Sequence, residues 1–269
     1  MAIVRSGKRS RGAPEGGVLS GKVALVTGGA QGLGLTTAEA YLRVGAQVAI
    51  LDRNAEGLQR AAEELGEVGL HPLSLAADTR NEDEIDNAVR QVLDAYGRID
   101  VLVNNAAVLM TFVKGEAIDR PTFWEIDPAL WRELWDINVT GTWLCARRVA
   151  REMMAAKRGS IINITTSRGT MTSERHIPYG PSKAAVTAFT RAGAKQLRPY
   201  GVRMNALLPG AAANRRGESD GQLNAFDVMV PAALYLASDA SASVTGQAII
   251  ADEYNRALGR PSVHVGAGD

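Results

Sequence analysis

From Lys22 onward the chain alternates between two hydrophobic patterns. Short apolar runs recur at Val23–Thr27, Gln47–Leu51, His71–Ala76, Val101–Asn104, Ser160–Thr165, Val202–Leu207 and Gln247–Ala251. Continuous runs of this kind predict parallel strands buried on both faces. Between them lie longer segments with apolar residues at helical spacing: Gly34–Val44, Ala55–Leu65, Glu82–Tyr96, Pro128–Lys157, Pro181–Arg198 and Asp227–Ser238. Asn138 and Gly141 interrupt the fourth, which reads as two helices or one bent helix. Strand–helix alternation of this regularity predicts an α/β fold. It is a doubly wound parallel sheet of about seven strands, with helices on both faces and right-handed crossovers.

Two segments break the alternation. Leu109–Asp127 carries Phe112, Phe123 and Trp124 among charges, and Gly210–Ala225 is rich in Ala, Gly, Asn and Arg. Long loops after parallel strands build substrate sites, although ordinary surface connections look the same in sequence. No linker or solenoid-length repeat divides the chain after residue 20. The expected organisation is therefore a single domain over residues 20–255. A flexible basic tail over 1–19 precedes it, with Arg5, Lys8, Arg9 and Arg11 among Ser, Gly and Pro, and a second tail follows over 256–269.

Composition narrows the partners. A formal net charge of +1 gives no single-sign field for nucleic acid or an anionic membrane. No apolar run approaches the roughly 20 residues that span a bilayer. Cys145 is the one cysteine of the 269 residues, which excludes an intramolecular disulfide and fits a cytoplasmic setting. His71, His176 and His264 match no zinc spacing, so no metal is expected.

Two motifs carry chemistry. Thr27-Gly28-Gly29-Ala30-Gln31-Gly32-Leu33-Gly34 leaves the first strand and opens the first helix. Missing side chains let a pyrophosphate approach the backbone, and the helix N-terminus offers it unpaired N–H groups. Tyr179-Gly180-Pro181-Ser182-Lys183 places a phenol and an ammonium on one helix face. A tyrosine ionises near pH 10, and a nearby cation favours the phenolate. Such a pair suits proton exchange with an alcohol or ketone oxygen.

Gly28, Gly32 and Gly34 at Gly-x-x-x-Gly-x-Gly spacing, together with Tyr179 and Lys183, resemble the classical short-chain dehydrogenase/reductase family. The likeness covers residues 20 to about 252. Asn104-Asn105-Ala106-Ala107 is similar to the family's Asn-Asn-Ala-Gly turn, Asp136–Gly141 to the segment with its helix asparagine, and Pro209-Gly210 to its Pro-Gly after the sixth strand. The resemblance implies a Rossmann-type fold and an oxidoreductase that interconverts a secondary alcohol and a ketone. It implies Tyr179 as general acid/base and Lys183 as the group that lowers its pKa and binds the nicotinamide ribose. It also implies Asn138 as holder of a water, and a homotetramer or homodimer built on the Gly141–Lys157 and Pro181–Arg198 helices. An asparagine that merely packs or bends a helix is the alternative for Asn138.

The cofactor expected is NAD. Asp52 ends the second strand, 18 residues after Gly34, where a carboxylate accepts from the adenosine ribose hydroxyls and repels a 2′-phosphate. Arg53 could in principle bind that phosphate, but Gln31 is neutral where NADP-preferring relatives often carry a base. The expected cofactor shell is Gly28, Gln31, Gly32, Leu33, Gly34, Asp52, Arg53, Asp78, Thr79, Asn105, Ala106, Tyr179, Lys183, Pro209, Gly210 and Asn214. Asp78 lies by resemblance beside the adenine, with helix N-capping by Asp78, Thr79 or Asn81 as the alternative.

Four departures from the family pattern stand out. Thr166 occupies the position of the serine that holds the substrate oxygen, with Ser167 next to it as the other candidate. Ala107 replaces a glycine, Asn214 a threonine, and Ala251-Asp252-Glu253 an Asp-Gly-Gly ending. Thr166, Asn214 and the altered ending motivate a second reading, a dinucleotide-binding scaffold without turnover. Arg168, Met171, Arg175 and His176 are further candidates for the pocket wall, and an inward arginine would suit an anionic substrate.

Overall fold

The computed structural model describes residues 17–109, 122–209 and 227–259. Seven strands form one parallel sheet in the order β3-β2-β1-β4-β5-β6-β7. They are β1 (Val23–Thr27), β2 (Gln47–Asp52), β3 (Leu73–Ala76), β4 (Val101–Asn104), β5 (Gly159–Ile164), β6 (Val202–Leu208) and β7 (Ala248–Ile250). The central strands β1 and β4 are buried along their whole length, which is why their sequences are continuous apolar runs. The third strand starts two residues later than its apolar run, because Pro72 has no N–H to pair.

Helices cover both faces. On one side α1 (Gly32–Arg43), α2 (Ala55–Glu67) and α8 (Val230–Ala237) contribute to a core that includes Val26, Ile50 and Leu207. On the other, α3 (Glu82–Tyr96), α5 (Thr142–Ala155) and α7 (Tyr179–Leu197) pack on Leu25, Leu51, Leu102 and Ile161. Sheet order reverses between β1 and β4, so the crevice at their carboxyl ends is the topological switch point where ligands bind in this architecture.

The interrupted fourth helical segment is one helical path. The first part, α4 (Pro128–Trp135), runs into a wide π turn (Asp136–Gly141) and on into α5, with right-handed helical dihedrals at both joints. Such single-turn bulges aim a residue out of the regular register. Here the turn buries Asn138 completely.

Two short helices lie outside the sequence expectation. Ser167 caps α6 (Arg168–Thr172) within the loop before α7. The last strand ends at Ile250, and Ala251 begins α9 (Ala251–Ala257), whose first turn carries Asp252 and Glu253. Carboxylates at a helix N-terminus complement its dipole, so the sequence that departs from Asp-Gly-Gly starts a helix instead. At the other end Leu19, which the sequence reading assigns to the basic tail, is fully buried in the core. Its N–H donates to the Val44 carbonyl at 3.1 Å. No helix among the described residues is long and apolar enough to cross a membrane.

A polar thread ties the sheet to α7 inside this apolar interior. Asn104 and Asn163 are register partners on β4 and β5. Asn104 Nδ2 donates to Asn163 Oδ1 at 2.9 Å, and Asn163 Nδ2 donates to Thr190 Oγ1 on α7 at 2.9 Å. All three side chains are buried, so loss of the middle one strands its partners away from water. Asn163→Ala is expected to cost about 2–4 kcal/mol and lower the Tm by several degrees. An unchanged Tm in a melting experiment would contradict this account of the thread.

Candidate active site

Every expected cofactor residue within the described segments lies at or near the carboxyl ends of the strands. Gly28 turns the chain with a φ of 65°, beyond the comfortable range of other residues. A Cβ there would come within 2.8 Å of the Ala106 Cα, and a Cβ at Gly34 would run into the Gly28 carbonyl. Asn105 explains the crowding. Its Nδ2 donates to the carbonyls of Thr27 and Gly28 at 3.1 and 3.0 Å, clamping the glycine turn to the end of β4. Thr27 closes the clamp from the other side. Its buried Oγ1 accepts from the backbone N–H groups of Asn105 and Ala106, both at 3.1 Å. Sequence reasoning missed Thr27, since one hydroxyl ending an apolar strand leaves no periodic signal.

The turn delivers Gln31, Gly32, Leu33 and Gly34 to the start of α1. Gln31 at the N-cap makes no side-chain cap, and the first helical turn holds no acid. The N-terminal N–H groups and the glycine cradle therefore fit an anion such as a dinucleotide pyrophosphate. Asp52 stands beside them. Its Oδ2 accepts from Ala30 N at 3.3 Å and its Oδ1 from Asn54 N at 3.0 Å, so the carboxylate is fixed between the glycine turn and α2. Arg53 is exposed next to it.

On β3's side, Asn81 caps α3 by accepting from Asp83 N and Glu84 N at 3.1 and 3.3 Å. Asp78 and Thr79 do other work. Asp78 is gripped by Arg80, and Thr79 is buried against Gly141, where a Cβ would sit 2.8 Å from its hydroxyl. Pro209 is buried at the end of β6; Gly210 and Asn214 lie outside the described residues. Ala107, in place of a glycine, keeps a negative φ, so the substitution brings no backbone strain.

The chemical half gathers at the start of α7. Tyr179 is its first residue and Lys183 follows one turn later, 2% exposed. Lys183 Nζ donates to the Ile164 carbonyl at 2.9 Å and lies 5.9 Å from the Tyr179 ring centre. This geometry corrects one expectation. Burial, eased by a hydrogen bond with Thr166, pushes the Tyr179 phenol up to about 12 rather than down. Burial also pulls the Lys183 ammonium down to about 8. The ammonium is turned to the Ile164 carbonyl, and desolvation is the largest influence on the phenol.

Of the two adjacent hydroxyls, Thr166 is the one beside the phenol. Ser167 Oγ is spent on α6, accepting from Thr170 N at 3.1 Å and pairing with Thr170 Oγ1 at 2.9 Å. Asn138 is likewise committed to protein groups. It donates to Val108 O and Ser182 Oγ, both at 3.1 Å, and accepts from Val108 N at 2.9 Å. Ser182, unremarked in the sequence, passes the contact on by donating to the Tyr179 carbonyl at 2.7 Å. Arg168 and Arg175 are exposed, which leaves the anionic-substrate idea without support, while Met171 and His176 are half-buried.

Comparison with known proteins agrees with this geometry. The sequence profile described as short chain dehydrogenase matches residues 22–221. The chain is 34% identical over 254 residues to 3-oxoacyl-acyl-carrier-protein reductase of Synechocystis sp., covering 87% of this chain and 96% of that protein. It is 38% identical over 193 residues to sorbitol dehydrogenase of Cereibacter sphaeroides, covering 71% of each. The crystal structure of NAD+-bound xylitol dehydrogenase superposes with a TM-score of 0.74 at 25% identity, covering 86% of this chain and 98% of that one. A glycine turn clamped at the switch point, a tyrosine and a buried lysine one helical turn apart, and a profile match over most of the chain lead to one conclusion: the protein belongs to the short-chain dehydrogenase/reductase family of oxidoreductases.

Proposed function

We propose that the protein is an NAD(H)-dependent oxidoreductase that interconverts a secondary alcohol and a ketone on a small molecule, with Tyr179 as general acid/base. The observation that carries this reading is the pairing of the Tyr179 phenol with the Thr166 hydroxyl at the carboxyl edge of the sheet, above a buried Lys183. Two hydroxyls converging on one point can hold one substrate oxygen between them.

The glycine turn, the α1 N-terminus and Asp52 would hold the dinucleotide, whose nicotinamide supplies the site that takes or gives hydride. The chain's own residues manage the proton. A phenol held up to about 12 is protonated at neutral pH and suits donation to an alkoxide developing during ketone reduction. In the reverse direction Tyr179, as the phenolate, takes the alcohol proton. Thr166 donates to the same oxygen as its charge grows, so its contribution is greatest in the transition state. Asn138 and Ser182 position the start of α7 without touching a reactant.

The choice of NAD rests on the fixed carboxylate of Asp52, which favours ribose hydroxyls and repels a 2′-phosphate. The polyol dehydrogenases among the relatives make sugar alcohols sensible first substrates. A homodimer or homotetramer through α5 and α7 belongs to the same proposal; Trp143, exposed on α5 with the Arg147 guanidinium 5.4 Å from its ring, is available for such a contact.

NADH fluorescence titrations should show NADH bound more tightly than NADPH, with Asp52→Ala weakening NADH by roughly tenfold and narrowing the preference. Equal affinities for both nucleotides in the wild type would remove the argument for NAD.

Turnover of a panel of polyols, secondary alcohols and ketones, followed through NADH absorbance, tests the reaction itself. Thr166→Val should cost on the order of a hundredfold in kcat, whereas Thr166→Ser and Ser167→Ala should keep most of it. A large loss in Ser167→Ala with a normal Thr166→Val would reverse the assignment. NADH binding without turnover of any panel member would favour the scaffold reading.

Lys183 gives a pH signature. Its folded pKa of about 8 lies below the value of an exposed lysine, so between the two the unfolded chain binds more protons. Folding stability from this group therefore rises with pH across that window, and its cost is fully present below pH 8. The Tm of the wild type relative to Lys183→Met should climb as pH is raised from about 8 towards 10. A flat difference across that range would contradict the burial of a titrating ammonium.

A further inference from the structure

We propose that Arg80 is a positioning residue of the adenosine pocket: its guanidinium, backed by Glu133 on α4, fixes the Asp78 carboxylate where it can accept from the amino group of a purine. The inference rests on the dinucleotide reading above and adds to it a residue that belongs to none of the motifs.

Asp78 is placed for this by the sheet. Ala77 N donates to the Asp52 carbonyl at 3.0 Å, so Asp78 stands just beyond β3 on the same carboxyl edge as Asp52. Ligands of open parallel sheets lie outside that edge. Arg80 then takes hold of the carboxylate from its own side. Nε donates to Oδ1 and Oδ2 at 3.1 and 3.0 Å, Nη2 donates to Oδ2 at 2.6 Å, and the Arg80 backbone N–H donates to Oδ1 at 2.9 Å. Three hydrogens thus meet a carboxylate with about four acceptor sites, which leaves it room for a further donor.

The guanidinium is anchored on its far side as well. Nη1 faces Glu133 Oε1 at 3.7 Å, and the charge of Asp136 lies close enough to favour the cation. The planar fork is thereby held between the end of β3 and the helix that leads into the π turn. Thr79, packed against Gly141 in that turn, seats the same short segment at a second point. A planar, bidentate grip sets the direction of a carboxylate as a lysine cannot. Arg80 also holds the Asp78 carboxyl below the usual carboxylate range, so at neutral pH the group accepts and does not donate.

An ionised acceptor at this point distinguishes a purine with an amino group from one with a carbonyl, which would present a second acceptor to it. Arg80 is partly exposed, so the expected effect is one of orientation more than of raw charge.

The test measures affinity for NADH and for reduced nicotinamide hypoxanthine dinucleotide, with thermal melts alongside. The wild type should prefer NADH by roughly tenfold. Arg80→Ala should bring the preference close to unity while leaving affinity for the hypoxanthine dinucleotide unchanged. Arg80→Lys should restore little of it, and Arg80→Ala should add nothing in an Asp78→Ala background. Equal losses for both dinucleotides, or an unaltered preference, would overturn the role of Arg80. A wild type that binds NADH without any preference would overturn this proposal alone, while one that binds neither NADH nor NADPH would overturn the cofactor reading and this proposal with it.

Discussion

The burial of one ammonium sets the terms for the rest of the site. Lys183 is almost completely shielded, and its Nζ bonds to a carbonyl at the end of β5. Removing a lysine charge from water costs several kcal/mol unless the surroundings compensate for it. The Ile164 carbonyl offsets part of that cost, and two neutral polar contacts hold α7 so that Nζ reaches it. Asn163 reaches Thr190 farther along the helix, and Asn138 reaches Ser182 beside Tyr179. Both contacts come from fully buried asparagines, where only hydrogen bonding makes an amide tolerable. The helix α7 is thus located by polar contacts in addition to its apolar face.

A second set of contacts locates the cofactor edge relative to that helix. Thr27 and Asn105 clamp the glycine turn to the end of β4, and β4 in turn bonds through Asn104 to Asn163 on β5. Hydride transfer requires two reactants within a few tenths of an ångström of a productive distance. A continuous hydrogen-bonded path from the glycine turn to α7 is one physical means of keeping that distance. The same path explains why β1 and β4 end in the hydrogen-bonding residues Thr27 and Asn104, and why Asn163 stands one residue before the end of β5.

Much of this was legible in the sequence, for identifiable reasons. The seven strands announced themselves as apolar runs of strand length, and the glycine spacing was readable because only absent side chains permit so close a backbone approach. Tyr179 and Lys183 were readable because helical periodicity puts residues four apart on one face. The misses share a cause. Thr27, Ser182 and Thr190 are single hydroxyls that each have a partner far away in sequence, so no local pattern marks that role. Asn104 and Asn163 did carry a signal: an amide within an apolar strand has to find a partner. The pKa of Tyr179 was misjudged because spacing reveals neither the burial that raises it nor the direction of the ammonium, which faces Ile164. The choice between Thr166 and Ser167 depended on a five-residue helix, α6, too short to show periodicity. The last helix arose where Asp252 and Glu253 replaced glycines, a change whose consequence is visible only once the strand is seen to end at Ile250.

The central claim is that Tyr179 moves the proton in a reaction whose cofactor is held elsewhere. It is tested most directly by comparing single-turnover hydride transfer and NADH affinity in the wild type and in Tyr179→Phe. The account predicts that the phenylalanine variant binds NADH as tightly as the wild type but loses at least a hundredfold in the rate of hydride transfer, on the order expected for removal of a general acid/base. Equal rates in the two proteins would contradict it, and would assign the chemistry to some other group.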